Sequence, residues 1–242
     1  MTYFIIGGSS GLGKAIAYEL ASKGKDIIIF SRDKRDMNAI SQDIFIKHKN
    51  KIRFFQLDAH KFDIDSFKFL LLKIKKISGI FFPIGFSSEL DNLQNSNNQS
   101  LALIDSNFTI IVKILELCKP KLIKSNSTVV GFGSVASIRG RTKNAIYAAS
   151  KKALYSYFQS LMHFYGNNGK VNIQFYTLGY ISTNLSFSYH LLFPKGDTTR
   201  LSKKIVSNLK SGTKFCYYPF FWKFLSYIIR ILPSFIFNKV KN

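Results

Sequence analysis

The chain has 242 residues, 46% of them apolar, with 15 Gly, 5 Pro and 2 Cys. That composition supports one large core and excludes a disordered, collagen-like or disulfide-built chain. Thirty-five Lys and Arg against 13 Asp and Glu give a net charge of +22. The excess rises along the chain, from +5 over residues 1–100 to +9 over 101–200 and +8 over 201–242, and no acid follows Asp197. Such a field favours anionic partners: nucleic acid, anionic lipid, a phosphorylated substrate or an acidic carrier protein. The abundance of Lys, Asn, Ile, Phe and Tyr is also what drift in an AT-rich genome produces.

Short apolar runs alternate with amphipathic stretches from the start. Tyr3–Ile6 has no basic region before it and ends in glycines, so it reads as a buried strand and not a leader peptide, with a cytoplasmic location expected. Further strands are expected at Asp26–Phe30, Ile52–Leu57, Gly79–Phe82, Thr128–Phe132, Val171–Thr177 and Lys214–Tyr218, the first six buried on both faces. Helical spacing covers Leu12–Ser22, Asp36–His48, Asp63–Lys75, Leu101–Cys118, Ala145–Tyr165 and Ser202–Leu209, with a polar loop at Asn92–Ser100. This order predicts an α/β fold, a doubly wound parallel sheet of about seven strands with helices on both faces. The expected division is a dinucleotide-binding catalytic domain over 1–219 and a basic, aromatic tail over 220–242.

Gly7-Gly8-Ser9-Ser10-Gly11-Leu12-Gly13 lies between the first strand and the first helix. Glycine there lets the chain turn tightly and approach a pyrophosphate, which the helix N-terminus then meets with free N–H groups. Gly7, Ser9, Ser10, Gly11, Leu12 and Gly13 are therefore candidate cofactor contacts. The second strand ends in Ser31-Arg32, where an NAD site would place a carboxylate for the ribose hydroxyls. A hydroxyl beside a guanidinium suits a 2′-phosphate, so Arg32 points to NADP(H) as the preferred cofactor, with NAD(H) left open. Asp33 is expected to face away.

Tyr147 and Lys151, four residues apart, share one helical face after the fifth strand. An ammonium nearby favours phenolate, so Tyr147 is expected to have a lowered pKa and to exchange a proton with a carbonyl as hydride arrives. Ser134 can orient the carbonyl oxygen. His48, His60, His163 and His190 are scattered, as are Cys118 and Cys216, so no metal site is expected.

With these motifs in this order, roughly residues 2–218 resemble the short-chain dehydrogenase/reductase family in its single-domain form. The resemblance implies a catalytic set of Asn107, Ser134, Tyr147 and Lys151. It further implies that Asp58 contacts the adenine, Asn107 holds a relay water and Lys151 also holds the nicotinamide ribose. Leu178-Gly179-Tyr180-Ile181-Ser182-Thr183 resembles the segment lining the nicotinamide, so Gly179, Ile181 and Thr183 join the candidates. The family's Asn-Asn-Ala-Gly segment is Phe82-Pro83-Ile84-Gly85 here, keeping only Gly85 as a backbone contact; Ile6 and Leu178 replace the usual Thr and Pro. The expected function is reduction of a ketone or aldehyde, or the reverse, on a small molecule. A 3-oxoacyl-carrier-protein-type reductase and a catalytically silent dinucleotide-binding sensor or scaffold are the rivals.

The tail, with Phe220, Phe221, Trp222, Phe224 and Leu225 beside Lys223, Arg230, Lys239 and Lys241, suits an anionic membrane surface. Arg230 and Pro233 argue against a spanning helix. With Tyr218-Pro219 and Leu232-Pro233 it is similar to tails of family members that reduce keto sugars on polyprenyl phosphates, which implies a lipid-linked or glycan-pathway substrate. A homo-oligomer is expected. A nucleic-acid partner is disfavoured, because the aromatics sit in apolar runs and not among the lysines of one face.

Overall fold

The computed structural model describes residues 1–88, 90–93, 99–166, 169–182 and 194–239. Seven strands form one parallel sheet: β1 (Thr2–Ile6), β2 (Asp26–Ser31), β3 (Arg53–Gln56), β4 (Ile77–Phe82), β5 (Thr128–Ser134), β6 (Asn172–Leu178) and β7 (Lys214–Tyr218). Their order is β3-β2-β1-β4-β5-β6-β7. The order reverses direction between β1 and β4, and loops leaving the C-terminal ends of those two strands diverge into a crevice.

Alternate side chains of the central strands feed two cores. Phe4, Ile6, Phe30, Ile80 and Phe82 point to one face, where they meet α3 (Ile64–Lys73), α5 (Ile110–Ser125) and α6 (Ala145–Gly166). Ile5, Ile27, Ile29, Phe81 and Val130 point to the other, against α1 (Gly11–Ser22), α2 (Lys34–His48) and α7 (Thr198–Ser207). Burying each such side chain contributes about 1.5–3 kcal/mol, which is why these β-branched and aromatic runs become central strands.

One expectation fails. β3 is not buried on both faces: Arg53 and Gln56 are exposed and Phe54 is 43% exposed. β3 is an edge strand, hydrogen-bonded among the described residues only to β2, and its outer end is held by the Arg53–Asp26 ion pair at 2.8 Å. A second difference lies in the stretch expected as one helix from Leu101. It is α4 (Ser100–Ile104), a π-helical turn over Asp105–Thr109, and then α5. The extra residue per turn re-aims the side chains of Asp105–Thr109, and Asn107 lies within it.

Helix starts fall where the sequence supplies caps. Asp33 accepts from the N–H groups of Arg35 and Asp36, Asp63 from those of Asp65 and Ser66, and Asp197 from that of Arg200. After β7 the chain forms α8 (Trp222–Ile231) and α9 (Ser234–Phe237).

Candidate active site

A cavity of about 670 Å³ opens at the C-terminal ends of β1, β4 and β5. Its volume lies in the range of small-molecule and cofactor sites. The first wall is the glycine turn, with Gly7, Ser9, Ser10, Gly11 and Leu12 on the cavity. Gly7 has φ +91°, and a Cβ there would sit 2.7 Å from the Ile84 backbone. Gly13 does not line the cavity; it lies under the turn, where any Cβ would collide with the Gly7 carbonyl oxygen. Its role is close packing of helix on strand. Ser10 caps α1 in extended conformation without a side-chain hydrogen bond, and no acid lies in the first turn. α2, α3 and α7 each have an Asp cap, so α1 alone of these four presents uncapped N–H groups, and it does so beside the cavity. That donor set suits a pyrophosphate.

Arg32 and Asp58 line the next part of the cavity. The hydroxyls of Ser9 and Ser31 lie 2.6 Å apart, tying the glycine turn to the end of β2. Asp33, as expected from its place one residue on, does not line the cavity and is spent on capping α2. Asp58 accepts the N–H of His60 at 2.9 Å.

Ser134, Tyr147 and Lys151 meet at the centre. Tyr147 and Lys151 lie on the first turns of α6, and Ser134 ends β5. The Lys151 Nζ lies 5.9 Å from the Tyr147 ring centroid and donates to the Phe132 carbonyl at 3.3 Å. Lys151 is 4% exposed, and burial pushes its pKa down to about 8. The expected lowering of the Tyr147 pKa is not what the geometry gives. Burial raises it, and a hydrogen bond with Ser134 opposes that rise without overcoming it. Desolvation of the phenolate by burial is the dominant effect.

Asn107 is fully buried behind the cavity wall. Its Oδ1 accepts from the Phe86 N–H at 3.0 Å, and its Nδ2 donates to the Phe86 carbonyl at 2.8 Å. A Cβ on Gly85, which lines the cavity, would come within 3.3 Å of Asn107 Oδ1 and 3.5 Å of Lys151 Nζ. Where the family's Asn-rich segment is replaced, the loop after β4 is thus held by Asn107 and by the Ile84 N–H donating to the Ile6 carbonyl at 2.9 Å. Gly179 and Ile181 line the cavity after β6, and Thr183 lies outside the described residues.

Two residues at the site had no signal in the sequence. Asp91 is 2% exposed, and its carboxylate accepts the N–H groups of Ile146 at 3.0 Å and Tyr147 at 2.8 Å. It caps α6 from a loop more than fifty residues away. Arg141 lines the cavity in the segment between Ser134 and Tyr147, and no carboxylate pairs with it among the described residues.

The tail closes one side of this region. Trp222 is 5% exposed and packs so closely on Gly179 that a Cβ there would overlap the indole; its ring lies 5.8 Å from that of Tyr180. Arg139 donates to the carbonyls of Ile229 and Leu232 and to the Ser234 hydroxyl, and its guanidinium lies 4.2 Å from the centre of the Phe237 ring. No helix among the described residues is long and apolar enough to cross a membrane.

Comparison with known proteins agrees with this architecture. The structure of a short-chain dehydrogenase from Sphingobium yanoikuyae in complex with NADPH superposes with a TM-score of 0.81 at 18% identity, covering all of this chain and 96% of that one. In sequence, the chain is 28% identical to mouse 17-beta-hydroxysteroid dehydrogenase type 3 over 75% of its length, and 23% identical to bovine very-long-chain 3-oxoacyl-CoA reductase over 98%. It spans 60% of the mouse protein and 77% of the bovine one. The family model for short chain dehydrogenases matches residues 2–190. The match runs from β1 past the Ser134, Tyr147 and Lys151 cluster, and the chain belongs to the short chain dehydrogenase family.

Proposed function

We propose that the protein is an NADP(H)-dependent oxidoreductase that reduces a ketone or aldehyde, or oxidises the matching alcohol. The observation that carries this reading is the meeting of Ser134, Tyr147 and buried Lys151 in the same cavity as the uncapped start of α1. Gly7, Ser9, Ser10, Gly11 and Leu12 would hold the cofactor's pyrophosphate, Asp58 the adenine, and Gly85, Gly179, Ile181 and Thr183 the nicotinamide side. When bound, the cofactor supplies hydride. Ser134 holds the substrate oxygen and Tyr147 donates the proton to it. The raised Tyr147 pKa keeps the phenol protonated and able to donate at neutral pH. Lys151, still mostly charged at pH 7, fixes the ribose hydroxyls and stabilises the phenolate left behind. Asn107 orders the Phe86 loop and carries the relay water.

Arg32 selects NADP(H), since β2 ends without a carboxylate on the cavity and Ser31 is held by Ser9. The NADPH complex of the Sphingobium protein is in keeping with that preference. The exposed apolar residues of α8 and the basic groups around them support a peripheral position at an anionic membrane, with a lipid-linked or glycan-pathway substrate and a homo-oligomeric enzyme. The bovine relative's name gives a 3-oxoacyl-CoA as its substrate, which favours an acyl ketone as the second reading.

Replacement of Tyr147 by Phe tests the mechanism. The variant is expected to bind NADPH as the native protein does while carbonyl reduction falls about 10²–10⁴-fold. Unchanged turnover would reject Tyr147 as the acid.

A further inference from the structure

The substrate end of the cavity carries a cation that the proposed chemistry does not use. Arg32 lies at the adenosine end and Lys151 beside Tyr147, so both are engaged by the cofactor in the proposed reading. Arg141 is a third cation on the cavity, exposed, on the segment joining Ser134 to Tyr147. Arg139, two residues earlier, does not line the cavity and is spent on α8 and α9. No carboxylate neutralises Arg141 among the described residues.

The second observation is where α8 lies. Trp222 fixes its start against Gly179 and Tyr180, and Arg139 fixes its end beside the loop after Ser134. α8 therefore joins the two segments that wall the substrate side. Trp222 and Ser226 take its buried face. Phe224, Tyr227, Ile228 and Ile231 follow i, i+3, i+4, i+7 spacing and form a second apolar face, each 53–66% exposed. Within the cavity, Phe86, Leu178 and Ile181 are apolar.

We infer that the carbonyl substrate is an anionic amphiphile: a carboxylate or phosphate meets Arg141, and its alkyl or prenyl chain leaves the cavity over the exposed face of α8. This rests on the proposed reductase activity and adds the substrate class. A guanidinium gives an anion two parallel charge-assisted hydrogen bonds, a selectivity that scattered surface lysines do not supply.

The test does not need turnover. Trp222 is the chain's one tryptophan and lies against Tyr180 on the cavity wall, so its fluorescence reports filling of that end. Full-length protein with NADP⁺ is titrated with decyl phosphate, decanol and inorganic phosphate. Decyl phosphate is expected to bind at least about tenfold more tightly than decanol, with inorganic phosphate weaker than decyl phosphate. Arg141→Ala should reduce decyl phosphate to the level of decanol, Arg141→Lys should keep part of the preference, and Ile228→Asp should weaken both alkyl probes alike. Lys223→Ala controls for the general positive field and should leave the preference intact. Equal binding of the two alkyl probes, a preference that survives Arg141→Ala, or inorganic phosphate as tight as decyl phosphate would each overturn the inference. Absence of any NADPH-dependent reduction in the native protein would defeat the reductase reading and leave this binding result standing.

Discussion

Replacing Lys151 by Met should make the protein more stable at neutral pH while removing its activity. The amine is 4% exposed, and burial moves its pKa from 10.5 to about 8. A lysine that is easier to deprotonate when folded lowers stability wherever it is charged in both states. The cost is in full force below pH 8 and fades as pH rises from 8 to 10.5, where the unfolded chain also loses the proton. At pH 7 it amounts to about 3 kcal/mol, and about 2 kcal/mol of that returns by about pH 9.5. Methionine fills a similar volume with no charge to bury. It loses one long hydrogen bond to the Phe132 carbonyl, about 1 kcal/mol. The variant should therefore exceed the native protein by about 2 kcal/mol at pH 7, and the two should be nearly equal at about pH 9.5. Urea unfolding of both proteins without cofactor at the two pH values measures this, and taking the difference between them cancels every other titrating group. A difference that does not change with pH would show that the amine is not held in a desolvated environment, and the argument from burial would fail.

Other perturbations read other parts of the cleft. Arg32→Ala should weaken NADPH by about one to two decades and leave NADH nearly unchanged in a fluorescence titration; equal loss for both would make Arg32 structural. Asp91→Ala should cost about 1–3 kcal/mol in thermal or urea unfolding by leaving two N–H groups of α6 uncapped. Asp91→Asn, which keeps an acceptor, should recover much of that stability. If Asp91 positions Tyr147, kcat should stay below native in Asp91→Asn while the KM for NADPH does not move. Vesicle co-sedimentation should show binding to anionic but not neutral vesicles, weakening with salt, because each basic group near such a surface contributes about 1 kcal/mol. Joint Phe224→Asp and Ile228→Asp substitution on the exposed face should abolish it without changing the melting temperature. Binding that persists would exclude α8 as the contact, and loss of self-association instead would assign that face to a second copy of the chain.

The central strands were legible because a buried parallel strand is written locally, as a short run such as Ile27-Ile28-Ile29-Phe30 between polar turns. β3 departs from the same rule. Phe54 and Phe55 look like core, but whether a strand has one neighbour or two is set by the strand order, which no local run encodes. The glycine turn and the Tyr147–Lys151 spacing were legible because their contacts are short in sequence. Asp91 and Arg139 were not, since one reaches more than fifty residues to cap α6 and the other about ninety to hold α8 and α9. The sign of the Tyr147 pKa shift needed burial as well as proximity. A lysine four residues away can be read from the chain, whereas the depth at which both groups lie is set by the tertiary packing around α6.

The docking of α8 bears on how the protein is made. The glycine turn, both sides of the β1–β4 crevice and the Tyr147 helix are all translated before β7. Trp222, which seals Gly179, and the carbonyls that engage Arg139 come after every strand of the sheet. During synthesis the chain therefore passes through a stage in which those elements are complete and the Gly179 side of the cavity still lacks Trp222. A message truncated after β7 would fix that stage permanently. Quality control that senses exposed apolar surface would meet Gly179 and Tyr180 without their indole cover in that product.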